Sequence, residues 1–238
     1  MLVVSFFLPD AVANVTDSQR LDNLTMIDSQ SISFDSAREL ALAERIKLIA
    51  NPNTEILPLK TGNAMDIDAA KKRIIPELEK LFSNGPFKLD FDGYSVDEGG
   101  AALVIDESTT PPLSAIVWEL ELSDESKNTI IVTLDDETGF ILKLIYRLGN
   151  RDNSLIESGP DSLDQRYYSV ARGLADMMKK YFGFSVTLGD YQFRGSIAYY
   201  RADIFGGGRA IPMFGVVRAT SFTLNERVKS TVSSTPVT

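Results

Sequence analysis

Glu119 and Glu121 are the residues of this chain whose type and spacing come nearest to a catalytic pattern. They stand two apart in a stretch that alternates apolar and polar residues, which predicts a β-strand with both carboxylates on one face. Paired carboxylates can hydrolyse glycosidic bonds or bind a cation. The simpler interpretation is the wetted face of an antiparallel sheet, with Trp118 anchoring the buried face.

The composition removes most other catalytic chemistry. The 238 residues include no histidine and no cysteine, which excludes Ser-His-Asp and Cys-His catalysis, imidazole and thiolate metal ligands, and disulfides. The formal net charge of -9 disfavours nucleic acid and anionic membrane surfaces as partners, because phosphates need clustered cations. We therefore expect a non-enzyme with no catalytic residue, no metal site and no cofactor.

A second group of candidate residues lies towards the end of the chain. Alternation places Tyr199 and Tyr200 on opposite faces of a strand, so at least one of them is a candidate for exposure. The three glycines before Arg209 are interpreted as a flexible hairpin connection, since they do not match a phosphate-binding loop. If this region binds an anion, Arg201 and Arg209 would supply the contacts. The predicted binding surface comprises Glu119, Glu121, Tyr199, Tyr200, Arg201 and Arg209.

Helix and strand signals divide the chain into two similar halves. One helix is predicted to begin after Asp66 and another after Ser162, which forms a capping box with Gln165. Each helix is followed by short alternating segments typical of antiparallel strands. In the first half these segments are Phe87–Phe91, Ala101–Ile105, Ile116–Leu122, Thr129–Leu134 and Phe140–Tyr146. The sequence predicts an α+β protein of two similar halves, each a helix packed on an antiparallel β-sheet.

Two acidic stretches have simple structural interpretations. Asp135-Asp136-Glu137-Thr138-Gly139 clusters oxygen ligands but lacks the spacing of an EF-hand calcium loop. A hairpin turn with Gly139 in the left-handed conformation is the simpler prediction. Asp90, Asp92, Asp97 and Glu98 are interpreted as a wetted strand and loop.

The N-terminal residues indicate a compartment. A short apolar run ends at Pro9 and precedes Ala11-Val12-Ala13, a small-x-small pattern typical of a signal peptide. We interpret 1–13 as the remnant of a signal peptide or membrane anchor, with a short buried strand as the alternative. The remaining predicted boundaries are a polar tether at 14–35, a first domain at 36–149, a linker at 150–160, a second domain at 161–228 and a flexible tail at 229–238. The predicted location is extracytoplasmic, either secreted or anchored to the outer face of a bacterial membrane.

The meander of the first half resembles the end of a PepSY module. Trp118-Glu119-Leu120-Glu121-Leu122, Ile130–Asp135 and Glu137–Leu142 carry the resemblance, because the family places a W/Y-x-V strand before one ending v-D-a-x-T-G-x-v-l. The resemblance implies a helix-plus-sheet unit of the kind found in secreted protease propeptides and in envelope or sporulation proteins of Gram-positive bacteria. Such units inhibit peptidases or bind proteins without catalysis. The long Asp92–Pro112 stretch departs from the family pattern.

These observations favour a non-catalytic extracytoplasmic protein-interaction or regulatory module that modulates a peptidase or a cell-envelope process. A protein or peptide partner is expected to add a strand to an exposed sheet edge, and a membrane is expected to contribute only through an N-terminal anchor. One alternative is a carboxylate-dependent glycan hydrolase, which needs two carboxylates facing each other across a cleft. The other is a small-ligand carrier in the cell envelope, which needs a closed apolar pocket.

Overall fold

The structure is a computed structural model that describes residues 40–150, 153–156, 158–206 and 209–226, without the side chains of residues 206 and 209. The predicted signal peptide or anchor, the tether and the tail lie outside these residues. Within the described residues, no helix is both long and apolar enough to cross a bilayer.

The described chain contains three helices and nine strands. The helices are α1 (Leu42–Ala50), α2 (Ile67–Phe82) and α3 (Leu163–Phe182). The strands are β1 (Glu55–Leu59), β2 (Ser95–Asp106), β3 (Leu113–Ser123), β4 (Thr129–Asp135), β5 (Ile141–Arg147), β6 (Ser185–Arg194), β7 (Ile197–Gly206), β8 (Arg209–Arg218) and β9 (Ser221–Leu224). The described residues between β5 and α3, where a linker is predicted, form no helix or strand.

All nine strands form one antiparallel sheet in the order β1-β2-β3-β4-β5-β9-β8-β7-β6. The run β2–β5 is one meander and the run β6–β9 is another, and β5 pairs with β9 from Leu144 opposite Leu224 to Arg147 opposite Ser221. The prediction of two separate helix-on-sheet halves is therefore wrong. The last strand of each meander has a free side with unpaired N–H and C=O groups, and pairing these two sides fuses the meanders into one sheet.

The two long helices begin where the sequence predicts. The Asp66 carboxylate accepts a hydrogen bond from the Ala69 N–H at the start of α2. Ser162 and Gln165 form the predicted capping box of α3. Gly183 follows α3 with φ of 69°, a left-handed conformation that glycine adopts without steric cost. Pro76 lies inside α2, which continues through it as one helix.

The helices cover opposite faces of the sheet. One face, here called the two-helix face, packs against α2 and α3; its Phe222 ring lies 6.0 Å from the ring of Phe82 in α2. The other face, here called the α1 face, packs against α1. Asn225, which follows β9, donates hydrogen bonds from its side-chain amide to the carbonyls of Ile46 in α1 and Leu142 in β5. The sheet is therefore the middle layer of the fold.

The turn between β4 and β5 holds α1 against the sheet through a buried ion pair. Arg45 Nη1 lies 3.0 Å from Asp135 Oδ1, and the two side chains are 5% and 0% exposed. Arg45 also pairs with Glu137. The second oxygen of Asp135 accepts hydrogen bonds from the Thr138 N–H and hydroxyl, and Gly139 has φ of 72°. The acidic stretch is thus the predicted hairpin turn, and Asp135 is satisfied within the chain.

Asp136 anchors the segment that precedes α2. Its carboxylate accepts hydrogen bonds from the backbone N–H groups of Asn63, Ala64 and Met65. It also accepts the indole N–H of Trp118 at 2.8 Å. These donors satisfy a carboxylate that is almost fully buried. Trp118 is a core residue, as the sequence predicts.

The predicted strand Phe87–Phe91 is wrong, because this segment has no strand pairing. Its aromatic rings instead fill the core beside α2. The Phe87 ring stacks on Phe222 at 5.0 Å, and the Phe91 ring lies 5.5 Å from Phe82. The alternation of apolar and polar residues in this segment indicates only a preference for a half-buried strand, and core packing overrides that preference.

The buried ion pair leads to a stability prediction. We expect Arg45→Met to lower the free energy of unfolding by about 3–5 kcal/mol, because it leaves the Asp135 carboxylate buried without its cation. Urea unfolding measures this. The control is Arg172→Met on the exposed side of α3, which should change stability by less than about 0.5 kcal/mol. Equal effects of the two substitutions would contradict a structural role for the pair.

A second prediction concerns alkaline pH. The Tyr181 hydroxyl accepts a hydrogen bond from the Ile141 N–H and donates one to Glu77. Burial raises the pKa of Tyr181 above its usual value of 10.0. The stability linked to this tyrosine is therefore fully present below pH 10 and is lost as the pH rises towards the folded-state pKa, because the unfolded chain ionises first.

We expect the free energy of unfolding to fall between about pH 10 and pH 12, and Tyr181→Phe to make this fall shallower. Urea unfolding at a series of pH values measures the slope. Tyr168→Phe, which removes the hydroxyl of a tyrosine that is 43% exposed, is the matched control. An identical slope for Tyr181→Phe and the wild type would show that Tyr181 ionises no later in the folded state.

Candidate functional site

Of the residues predicted to form one binding surface, Glu119, Glu121, Tyr199 and Arg201 share a face of the sheet, but the two glutamates lie far from the other two. A row of directly opposite residues crosses the α1 face: Glu98, Glu121, Ile131, Ile145, Thr223, Val216, Tyr199 and Gln192. Glu121 and Tyr199 are five strand positions apart in this row, roughly 24 Å at about 4.8 Å per strand. α1 contacts β2, β3, β5 and β8, so it lies across the middle of the row.

The predicted residues of the second meander have different environments. Tyr199 is 44% exposed, whereas Tyr200 is buried, with its hydroxyl donating to the Thr223 carbonyl. Arg201 pairs with Asp190 at 2.9 Å and with Asp203 at 3.0 Å. The side chain of Arg209 is not among those described. Tyr200 is therefore a core residue, and the Arg201 guanidinium is held by carboxylates of its own sheet.

Glu119 and Glu121 line an open depression of about 740 Å³, whose lining extends from the α1 face around the end of β1 to α2. Its acidic lining also includes Asp97 and Glu98 of β2, and α2 contributes Lys71. The apolar lining includes Ile56, Pro58 and Ile131. The depression thus combines an apolar floor with carboxylates from two adjacent strands.

The depression lies beside a free strand edge, because β1 is much shorter than β2. β1 pairs with Ala101–Ile105, less than half of β2. The preceding residues, Ser95–Gly100, pair with β3 on one side, and no described strand pairs with them on the other. Exposure changes at the same point: Ala101–Val104 are buried, whereas Asp97–Gly100 are exposed. A free edge of this kind presents backbone N–H and C=O groups to another chain.

The edge contains two glycines in different surroundings. A Cβ at Gly99 would lie 2.6 Å from Leu120 Cδ2 and 3.2 Å from Ile67 Cδ1, so this position faces the start of α2. A Cβ at Gly100 would meet no atom within 4 Å. Gly100 lies opposite Glu119 and therefore faces the depression. Glycine inside a strand often marks a place where another backbone approaches closely.

A β-bulge brings two carboxylates together at this edge. The register of β2 against β3 shifts between Val96 and Glu98, which sets Glu98 directly opposite Glu121. Both side chains are exposed. Like charges directly opposite each other destabilise a sheet, and bulges are frequent beside functional sites, where they re-aim side chains. This pair of like charges is locally destabilising, and the packing of the fold does not explain why it is present.

No pattern in the sequence places Asp97 and Glu98 beside Glu121. Their segment contains Gly99-Gly100, which breaks the apolar alternation, and it was predicted as a wetted strand and loop. The useful signal is Val96, an apolar residue between Ser95 and Asp97 that continues the strand predicted at Ala101–Ile105 towards the N-terminus. Glu98 lies opposite Glu121 because of the bulge, and the spacing of residues in the sequence does not reveal a bulge.

The geometry gives little support to the alternative functions. Glu119 and Glu121 project from one face of one strand into solvent, whereas a glycosidase acid lies in a desolvated pocket. A cavity between the helices and the sheet, lined by Leu81, Met178 and Phe182 among others, measures about 10 Å³, too small for a carried ligand. Within the described residues, no three acidic side chains come together as metal ligands.

Comparisons with protein-family models, curated proteins and solved structures give no match to this chain. The resemblance of the first meander to a PepSY module therefore stays a prediction from its residues. The free edge of β2 and the depression beside it are the features from which a function can be argued.

Glu98 and Glu121 lie directly opposite each other, so their like charges are expected to lower the stability of the fold. We expect Glu121→Gln to raise the free energy of unfolding by about 0.2–1 kcal/mol, since it removes one of two opposed like charges. Urea unfolding in low salt measures this, and the gain should shrink in 1 M salt, where the Debye length is about 3 Å. The control is Glu107→Gln, at an exposed residue that directly follows the far end of β2. A loss of stability in Glu121→Gln would contradict the repulsion.

Proposed function

We propose that this protein is a non-catalytic, extracytoplasmic interaction module that binds an extended segment of a protein partner by strand addition. The observation that carries the proposal is the free edge of β2 at Ser95–Gly100, in line with β1. In strand addition, backbone hydrogen bonds supply affinity, and pockets for alternate side chains supply specificity. The depression beside Gly100 is such a pocket.

The other end of the sheet also has a free side, at β6. The pairing of β6 with β7 shifts between Leu188 and Tyr191, and Asp190 within this shift is paired with Arg201. A bulge in the middle of an edge strand discourages pairing with another chain. At β2 the bulge between Val96 and Glu98 lies inside the free segment, and the three residues after it, Glu98–Gly100, continue without interruption into the residues that pair with β1. These differences favour β2 as the docking edge.

Two parts of the proposal rest on the sequence. The extracytoplasmic location rests on the signal-like residues 1–13, and a role in a peptidase or cell-envelope process rests on the resemblance to a PepSY module. The strand-addition mode itself needs neither, because it depends on backbone geometry. It can be tested without knowing the natural partner.

Selection of random linear peptides from a display library on the full chain tests the proposal. Enriched peptides are expected to protect the backbone amides of Ser95–Gly100 from hydrogen exchange, because strand addition pairs the free edge. Protection confined to Ser185–Arg194 of β6, or no change at either edge, would overturn the proposed mode. Hydrogen exchange followed by mass spectrometry distinguishes these outcomes by segment.

Gly100→Val gives a sharper prediction with the same peptides. The fold has room for the new side chain, and valine suits a strand better than glycine. The free energy of unfolding should therefore not fall. The side chain would occupy the depression beside the edge, so peptide affinity should fall at least about tenfold, or ~1.4 kcal/mol.

The matched control is Gly159→Val, at another glycine where a Cβ would meet no atom within 4 Å. It lies between β5 and α3, away from the edge. Its peptide affinity should equal that of the wild type. Full affinity in Gly100→Val, with the fold intact by urea unfolding, would count against docking at β2.

A further inference from the structure

Building on the proposed function, we infer that the strand accepted at β2 is cationic, with lysine or arginine at alternate positions facing the α1 face. The charge of the depression is the first reason. Asp97, Glu98, Glu119 and Glu121 supply four carboxylates and Lys71 supplies one ammonium group, so the lining carries a net charge of -3. An incoming strand must place side chains next to this charge, because alternate residues of a strand face the same side.

The spacing of the carboxylates matches an extended partner. Glu119 and Glu121 are two residues apart on β3, a separation of about 6.6–6.8 Å along the strand, which equals the spacing of alternate residues on a neighbouring strand. Glu98 lies between Glu121 and the docking position, on the strand that the partner would pair with. A partner with basic residues at i and i+2 can therefore face two of these acidic positions at once.

Gly100 opens the path to the more distant carboxylate. Glu119 lies on β3, one strand further from the free edge, and its neighbour on β2 is Gly100. Because Gly100 has no side chain and its surroundings are open, a long lysine or arginine side chain can cross β2 at this point. The aliphatic part of such a side chain would lie against the apolar floor of Ile56, Pro58 and Ile131.

The same charges exclude the wrong partner. Carboxylates on an edge strand discourage pairing with neutral or acidic strands, which protects the free protein from aggregation. A cationic strand removes this barrier and relieves the repulsion between Glu98 and Glu121. One set of residues thus keeps the edge free in the unbound protein and selects the partner.

Two synthetic peptides test the inference by fluorescence anisotropy with the full chain. One alternates lysine and valine, and the other alternates glutamate and valine. The lysine peptide should bind at least about tenfold more tightly, and its affinity should fall as salt rises from about 50 to 300 mM. Equal affinity for the two peptides, or no binding of the lysine peptide, would overturn the inference.

Variants and a modified peptide separate charge from edge pairing. The double variant Glu98→Gln/Glu121→Gln should lose about tenfold in affinity for the lysine peptide, whereas Glu107→Gln should bind it as the wild type does. A lysine peptide with N-methyl groups on alternate residues should bind weakly, because it lacks donors for the β2 edge. If the N-methylated peptide binds equally well, the contact is ionic only and the strand-addition mode fails.

The outcomes for the two proposals are distinguishable. If both peptides bind equally, and both lose affinity in Gly100→Val and on N-methylation, strand addition stands and the cationic preference is rejected. If the lysine peptide binds tightly but ignores Gly100→Val and N-methylation, strand addition at β2 is rejected, and with it the inference. Loss of affinity in Glu107→Gln equal to that in the double variant would reject the assigned carboxylates.

Discussion

The fold depends on removing two adjacent carboxylates, Asp135 and Asp136, from water at one turn. Buried carboxylates need cations or N–H donors, and these come from distant parts of the chain: Arg45 of α1 for Asp135, and the backbone of 63–65 for Asp136. β1 lies between these two attachments in sequence. Since the chain is drawn to Asp136 shortly after Leu59, β1 ends there and the first part of β2 keeps its free edge. The free edge of β2 thus follows from a packing constraint at the turn between β4 and β5.

Local signals predicted the elements well and their assembly poorly. The caps at Asp66, Ser162 and Gly183 involve near neighbours in sequence, so residue types alone reveal them. The β5–β9 seam joins residues such as Leu144 and Leu224, and alternation does not say which strand a free edge will pair with. The strand prediction for Phe87–Phe91 is wrong for a related reason. The rings of this segment pack in the core, and an alternating pattern of residues does not show that contact.

For the candidate site, the sequence likewise predicts the strand that carries the carboxylates but not the residues around them. The strand containing Glu119 and Glu121 follows from alternation, and so does their common face. Their environment follows from the length of β1, the bulge before Glu98 and the open space at Gly100, which are properties of neighbouring strands. Tyr200 shows the converse, because alternation put it opposite Tyr199 but could not say which of the two faces was covered. Pairing register, more than residue type, decides what the carboxylates can do.

The position of β9 in the sheet sets an order for assembly. The strand that joins the two meanders is the last of the nine along the chain and spans only Ser221–Leu224. β2–β5 precede β9 along the chain, so they leave the ribosome first. In that interval the free side of β5 is a second exposed edge, next to apolar side chains that Phe222 later covers. A chain that ends before Ser221 would leave the free side of β5 without its partner strand.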